Sequence, residues 1–324
     1  MRTLLALVAL LVVTGAANKY DGDWVDPTDN IPPLSSVSSW SYYPNPFQCN
    51  STASCECGTA PSEPACSPEN WAYSNNGSFK TCLPSTGGQQ TPINLDAFED
   101  SYEFLDNAEG SVKFSAGKCT GLVNSRNGTY EVSFIECSKP FTVTVNGETW
   151  DLWQMHIHGP SEHTVNGIYF SAEVHLVHVP KGVAPSAAVN ALVLGVFLSP
   201  GKANGLFRVL ASQNASAGNV PLAKAVNPYS LIPQDKAYWH YTGSLTTPGY
   251  GGCQLNSASP DFDPAQNNIN WLVFKTPRTA SISQFAWLTD YLCGLPLPYL
   301  CQNKRPLQEI LSTTDIYTYG KALK

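Results

Sequence analysis

Positive charge is sparse in this chain. Its 324 residues carry 18 Lys and Arg against 25 Asp and Glu, a formal net charge of −7, and the basic side chains are scattered rather than clustered. Nothing in that pattern attracts a polyanion, so nucleic acid is not an expected partner, and the acidity is read as serving solubility. Long apolar runs are missing too: beyond the first 17 residues no segment has the length and hydropathy of a membrane-crossing helix. Helical periodicity is confined to GLFRVLASQ and SISQFAWLTDYL, which argues against a helical bundle. No internal repeat and no charge block is found, so solenoid and low-complexity architectures are set aside. Hydrophobic residues make up 43% of the chain, enough at this length for one large core or two modest ones.

What is present begins with MRTLLALVALLVVTGAANKY. One Arg precedes an apolar run from Leu4 to Val13, and the small residues Thr14, Gly15, Ala16 and Ala17 follow. The run is too short to span a bilayer and reads as a cleaved secretory signal over residues 1–17. Ten cysteines, an even and high count, fit an oxidising compartment better than the cytosol. Sequons at Asn50, Asn76, Asn127 and Asn214 are candidate glycan sites. The expected address is secreted or extracellular, with the lumen of an organelle on the secretory route as the alternative. No membrane span is expected after signal cleavage, and the oligomeric state is left open.

Up to about residue 70 the chain is rich in Pro, Ser and Asn, with Cys49, Cys55, Cys57 and Cys66 close together, which is loop chemistry stapled locally. From about Thr91 onward, GTYEVSFIEC, FTVTVNGETWDLWQMHIH, YFSAEVHLVHV, ALVLGVFL and NWLVFK alternate with Gly, Pro and Asn punctuation. That is the pattern of many short strands, and it predicts a mainly β, or β-rich α+β, domain.

Five of the six histidines lie between residues 154 and 179. Read as a strand, TWDLWQMHIH directs Leu152, Gln154, His156 and His158 to one face. In SAEVHLVHV, Glu173, His175, Val177 and Val179 share a face. If the two strands pair, His175 meets His156 and His158 and offers a metal three nitrogen ligands with a fourth position open. Zinc suits such a site, because it accepts borderline nitrogen donors in a tetrahedron, and neutral imidazoles leave its charge to act on bound water. Gln154 and Glu173, each two residues before a histidine on the same face, are placed to fix the imidazole tautomers. His163 and His178 fall outside this geometry and read as hydrogen-bonded core residues. For the trio, a metal-free alternative leaves polar nitrogens to satisfy in an apolar wall, which favours the metal.

These pieces carry a resemblance. WSY at Trp40 to Tyr42, PENW from Pro68, QTPINL from Gln90, QMHIH, SEHTV, AEVHLVH, ALVLGVFL, YWHYTGSLTTP from Tyr238, NWLVFK from Asn270 and NKRPLQ from Asn303 are similar, in this order, to alpha-class carbonic anhydrases. SEHTV with AEVHLVH at this spacing, followed by GSLTTP, is its most specific part. The resemblance implies one domain over residues 38–315 around a large twisted, mostly antiparallel sheet of about ten strands. It also implies an extension over 18–37, a Cys-rich insertion over about 43–67 and a tail over 316–324. One zinc at His156, His158 and His175 would hydrate carbon dioxide reversibly, hydroxide on the metal attacking the carbon. A zinc esterase, or a non-catalytic binding or matrix protein on the same fold, is the alternative; the latter usually loses a zinc histidine, and this chain retains all three.

Further roles follow from the resemblance alone. Thr246 matches a threonine that accepts a hydrogen bond from the attacking oxygen while donating its own proton to a buried carboxylate, here Glu162. Val177, Val193, Leu245 and Trp271 match an apolar niche for carbon dioxide, which has no dipole to recognise. Thr247, Tyr42 and Tyr241 match a hydrogen-bond network, Asn303 a support behind the ligands, and Cys82 with Cys253 a disulfide bracing the Thr246 loop. The connectivity of the other eight cysteines is not fixed by sequence. Efficient relatives commonly carry a proton-exporting histidine in a stretch like NGHxF; here VNSRNGTYEVSF puts Arg126 or Gly128 there, leaving external buffer, Glu131 or His240 to take the proton. Hydration at saturating substrate is therefore predicted to rise with buffer concentration, and a rate insensitive to buffer contradicts this.

Overall fold

The computed structural model describes residues 82–96, 102–126, 129–185, 188, 190–213, 220–248, 253–254, 269–294 and 301–320. The expected signal, extension and Cys-rich insertion, with Tyr42, Gly128 and the four sequon asparagines, lie outside them. A sheet of twelve strands dominates. Its main path runs Val220–Pro221, Lys118–Arg126, Thr129–Lys139, Glu148–His158, Ala172–Pro180, Ala191–Pro200, Ile269–Ala280, Tyr238–Gly243, Tyr317–Tyr319 and Glu103–Leu105. Val112–Ser115 and Thr142–Val145 pair beside that path. The about ten strands expected match the path. Pairing is mostly antiparallel, with parallel junctions at Ala191–Pro200 with Ile269–Ala280 and at Tyr317–Tyr319 with Glu103–Leu105. Tyr317–Tyr319 belongs to the stretch expected as a tail, yet it pairs with Tyr238–Gly243.

Ala172–Pro180 shows why the centre of the sheet can hold chemistry. Eight of its nine residues are buried, so both faces are covered, and Glu173, His175 and His178 are polar exceptions in an otherwise apolar strand. One face packs Val174, Leu176, Met155 and Ile157 against the two longer helices, Gly205–Ala211 and Ile282–Cys293. The other gathers Val177, Val193, Trp239, Tyr241 and Trp271. Both helices fall where periodicity placed them. Asn204 caps the first by accepting from the backbone of Leu206 and Phe207, and Ser281 with Gln284 forms a capping box on the second.

Strict alternation fails at one point. The pairing of Glu148–His158 with Ala172–Pro180 shifts register so that Val177 faces Gln154 and His178 faces Leu152, which leaves Trp153 as an extra residue. Such a bulge reverses the phase of the chain before it. Leu152 therefore packs in the core on the helix side, not with Gln154 and the histidines, and Trp153 takes the histidine side instead. All six described cysteines are paired: Cys82–Cys253, Cys119–Cys137 and Cys293–Cys301. Among the described residues no helix is long and apolar enough to cross a membrane.

His178 is a core histidine. Its Nδ1 donates to the Leu176 and Leu192 carbonyls and its Nε2 accepts from Tyr229 Oη at 3.0 Å. Burial lowers its pKa from 6.5 to about 4. Between those values the unfolded chain binds the extra proton, so the stabilisation is complete above pH 6.5 and is lost as pH falls through 4, by roughly 3 kcal/mol for the full shift. The metal-free protein is expected to melt progressively lower across that window, with a shallower slope in His178→Gln; equal slopes contradict it.

Candidate metal centre

His175 stands opposite His156, and Glu173 opposite His158, in the antiparallel pair of histidine strands. Each imidazole is held from behind by an oxygen. His156 Nδ1 donates to Gln154 Oε1 at 2.8 Å, His158 Nδ1 to the Asn303 carbonyl at 2.6 Å, and His175 Nε2 to Glu173 Oε1 at 3.0 Å. With those protons committed, lone pairs remain on His156 Nε2, His158 Nε2 and His175 Nδ1. One ligand atom from each histidine lies within 4.8 Å of the others, and His175 Nδ1 is 3.3 Å from His156 Nε2. Zinc–nitrogen bonds of about 2.0–2.1 Å in a tetrahedron require nitrogens about 3.4 Å apart, so the donor set fits. Burial lowers the pKa of all three, taking His158 to about 3; at His156 and His158 the neighbouring imidazoles add to this, and at His175 Glu173 opposes it. They are therefore neutral, the ligating form.

Glu173 is the anchor behind His175. One oxygen accepts from the backbone N–H groups of Glu162 and His163, the other from His163 Nδ1 and His175 Nε2. Full burial alone would raise its pKa, but the facing imidazoles and their hydrogen bonds hold it well below the usual carboxylate range. His163, read as a core residue, links Glu173 to Tyr241 Oη through Nε2 at 2.7 Å. His163, Glu173 and His175 also lie close enough to hold a cation, but their facing atoms already share hydrogen bonds.

Glu162 is fully buried. Its Oε1 accepts from the Arg305 backbone N–H at 2.8 Å, and its Oε2 lies 3.4 Å from His158 Nε2 and 3.9 Å from His175 Nδ1. Burial pushes its pKa well up, while the Arg305 N–H and a hydrogen bond with the Thr246 hydroxyl pull it down.

Residues 66–317 match the family model for eukaryotic-type carbonic anhydrase. The chain belongs to this family. A carbonic anhydrase of Klebsiella pneumoniae is 32% identical over 245 residues, covering 75% of this chain and 85% of the relative. Carbonic anhydrase 3 of Homo sapiens is 30% identical over 270 residues, covering 74% and 95%. The alpha-carbonic anhydrase of Thermovibrio ammonificans, solved with the inhibitor sulfanilamide, superposes with a TM-score of 0.59 at 26% identity over 77% of this chain and 94% of that one. This carbonic anhydrase is thus a zinc enzyme that interconverts carbon dioxide and bicarbonate.

The remaining expected residues of the carbonic anhydrase site fall in rows across the sheet. Val177, Val193, Trp271 and Tyr241 are register partners on four successive strands, one pleat from His175. Leu245 packs against their cluster. Tyr241 was expected in the substrate pocket; it is fully buried, stacked with Trp271 and bonded to His163 and Thr91. Thr247 is half-buried beside Thr246. Glu131 is the cross-strand partner of His156, on the histidine face, and accepts from Ser133 Oγ. His240 stacks on Tyr317, and strand alternation sets it on the face opposite Tyr241, which removes it as a proton acceptor for the centre. Trp153, through the bulge, and Arg305, through contacts more than 200 residues apart in sequence with Cys82, Gln90 and Thr91, were missed. The NKRPLQ match was the only signal for Arg305.

Gly195 faces His175 in the neighbouring strand, and a Cβ there would sit 2.9 Å from Glu173 Oε1. That oxygen is fixed by its two imidazole donors, so it cannot swing away without releasing one. Gly195→Ala is expected to fold and to bind zinc about tenfold more weakly in a chelator competition, in line with the cost of disturbing a ligand's outer partner. Unchanged affinity contradicts this.

Proposed function

We propose that His156, His158 and His175 hold the zinc, that Gln154, Asn303 and Glu173 orient them, and that Thr246 with Glu162 orients the attacking oxygen. The observation that carries the reading is the convergence of three lone pairs whose protons are already committed elsewhere. Bound zinc supplies a Lewis acid that makes a coordinated water lose its proton near neutral pH. Burial pushes the Glu162 pKa well up; the contacts with the Arg305 N–H and the Thr246 hydroxyl are the ones that oppose this, and the reading takes it as the carboxylate that accepts from both. With its own proton given to Glu162, the Thr246 hydroxyl has a lone pair to offer. It then accepts from an incoming O–H, aims that oxygen, and turns away anions that carry no proton. Val177, Val193, Leu245 and Trp271 offer carbon dioxide an apolar surface beside the histidines, where a molecule without a dipole loses nothing by leaving water. The released proton goes to external buffer or to Glu131, the cross-strand partner of His156.

The enzyme acts outside the cytosol. Support comes from the apolar run over Leu4 to Val13 and from three disulfides among the described residues. Glycans at the four sequons belong to the same reading.

A carbon dioxide hydration assay with and without a zinc chelator tests the proposed site, together with Thr246→Val. Chelation should abolish activity. Thr246→Val should keep its zinc, lose roughly 100-fold in kcat/KM, the scale of a lost orienting contact, and bind thiocyanate more tightly. A variant with full activity contradicts the role given to Thr246.

A further inference from the structure

Thr246 lies on a turn beyond the end of Tyr238–Gly243, so no sheet ladder fixes it. Its predecessor Leu245 is held instead by loop contacts. The Leu245 N–H donates to the Cys253 carbonyl at 2.7 Å, and its carbonyl accepts from Ser244 Oγ at 2.8 Å and from Arg305 Nη1 at 3.3 Å. Cys253 is tied in turn by its disulfide to Cys82, whose carbonyl accepts from Arg305 Nη2 at 3.1 Å. The same guanidinium also reaches the Thr91 carbonyl, Ser244 Oγ and Gln90 Oε1. Only 2% of Arg305 is exposed, so a full positive charge has been taken from water to make these contacts, a cost that packing alone would not require. Its backbone N–H, meanwhile, holds Glu162 Oε1.

We propose that Arg305 is a positioning residue that holds both partners of the Thr246–Glu162 hydrogen bond: its main chain fixes the carboxylate, and its guanidinium fork fixes the turn that carries the hydroxyl. This rests on the reading of Thr246 and Glu162 given above. The planar fork matters because the Cys82, Thr91 and Leu245 carbonyls must be spanned at once. A lysine ammonium keeps the charge but is a single point that cannot reach all three. Asn303, which supports His158, lies outside the fork's contacts, so the metal ligands are left in place.

Arg305→Lys is the test, with Gln90→Leu as a milder second variant that removes one acceptor from the fork. In the metal-free protein, hydrogen exchange at the Leu245 amide should accelerate in both, more in Arg305→Lys. In the zinc-loaded protein, zinc content should stay at one per chain. Hydration kcat/KM should fall about tenfold, the loss of one well-placed hydrogen bond. The preference for a sulfonamide, which brings a proton to Thr246, over thiocyanate, which does not, should fall by a similar factor. In a Thr246→Val background Arg305→Lys should cost nothing further. A purely structural arginine would lower the melting temperature, leave the sulfonamide-to-thiocyanate ratio intact and add its loss to that of Thr246→Val; that result overturns the proposal, as does unchanged exchange at Leu245. Faster exchange combined with a fully active Thr246→Val would uphold Arg305 as the anchor of the turn and refute the role of Thr246 instead.

Discussion

Three imidazoles face one another across two paired strands with their outer nitrogens already committed to oxygen acceptors, and the rest of the site depends on that commitment. Without it any of the three could rotate or take the other tautomer and pair with its neighbour. With it, the inner nitrogens present lone pairs to one another, and no proton is available to reconcile them. A cation resolves the conflict. The sheet around them is arranged to keep it so: Glu173 is itself pinned by four N–H groups, and Asn303 grips both sides of His158 by accepting from Gly159 and donating to the Ile157 carbonyl.

The sheet also sorts chemistry by row. Glu131, His156, His175 and Gly195 are register partners in one row, and Gln154, Val177, Val193 and Trp271 in the next. His156 and His175 are thus one pleat from the apolar wall, a separation fixed by strand geometry. Thr246 and Glu162 stand outside this lattice, on a turn and a loop, and their placement relies on side-chain contacts rather than on a ladder. A sheet can hold ligands to a fraction of an ångström by its own repeat, whereas a turn needs an anchor such as Arg305.

Period-two patterning was legible where the strands are regular. It put His156, His158, His175, Gln154 and Glu173 on facing surfaces, and spacing alone suggested nitrogen ligation. It misplaced Leu152 because a bulge is one extra residue in the pairing and leaves no mark in the hydropathy of a single strand. Resemblance, not spacing, supplied Thr246, Glu162 and the Cys82–Cys253 pair, whose partners lie far apart in sequence. The depth of Tyr241, the exclusion of His240 and the contacts of Arg305 follow from which elements pack together, and no local pattern encodes that. The Cys119–Cys137 and Cys293–Cys301 pairings were open for the same reason.

The central claim is that one metal ion is ligated by these three nitrogens and by no carboxylate, although Glu162 Oε2 lies only 3.4 Å from His158 Nε2. X-ray absorption on the zinc-loaded protein tests it most directly. A first shell of three imidazole nitrogens and one solvent oxygen at about 2.0 Å is the predicted result. A shell in which any carboxylate oxygen takes the place of the solvent, one with a sulfur donor, or one with fewer than three imidazoles would contradict the account.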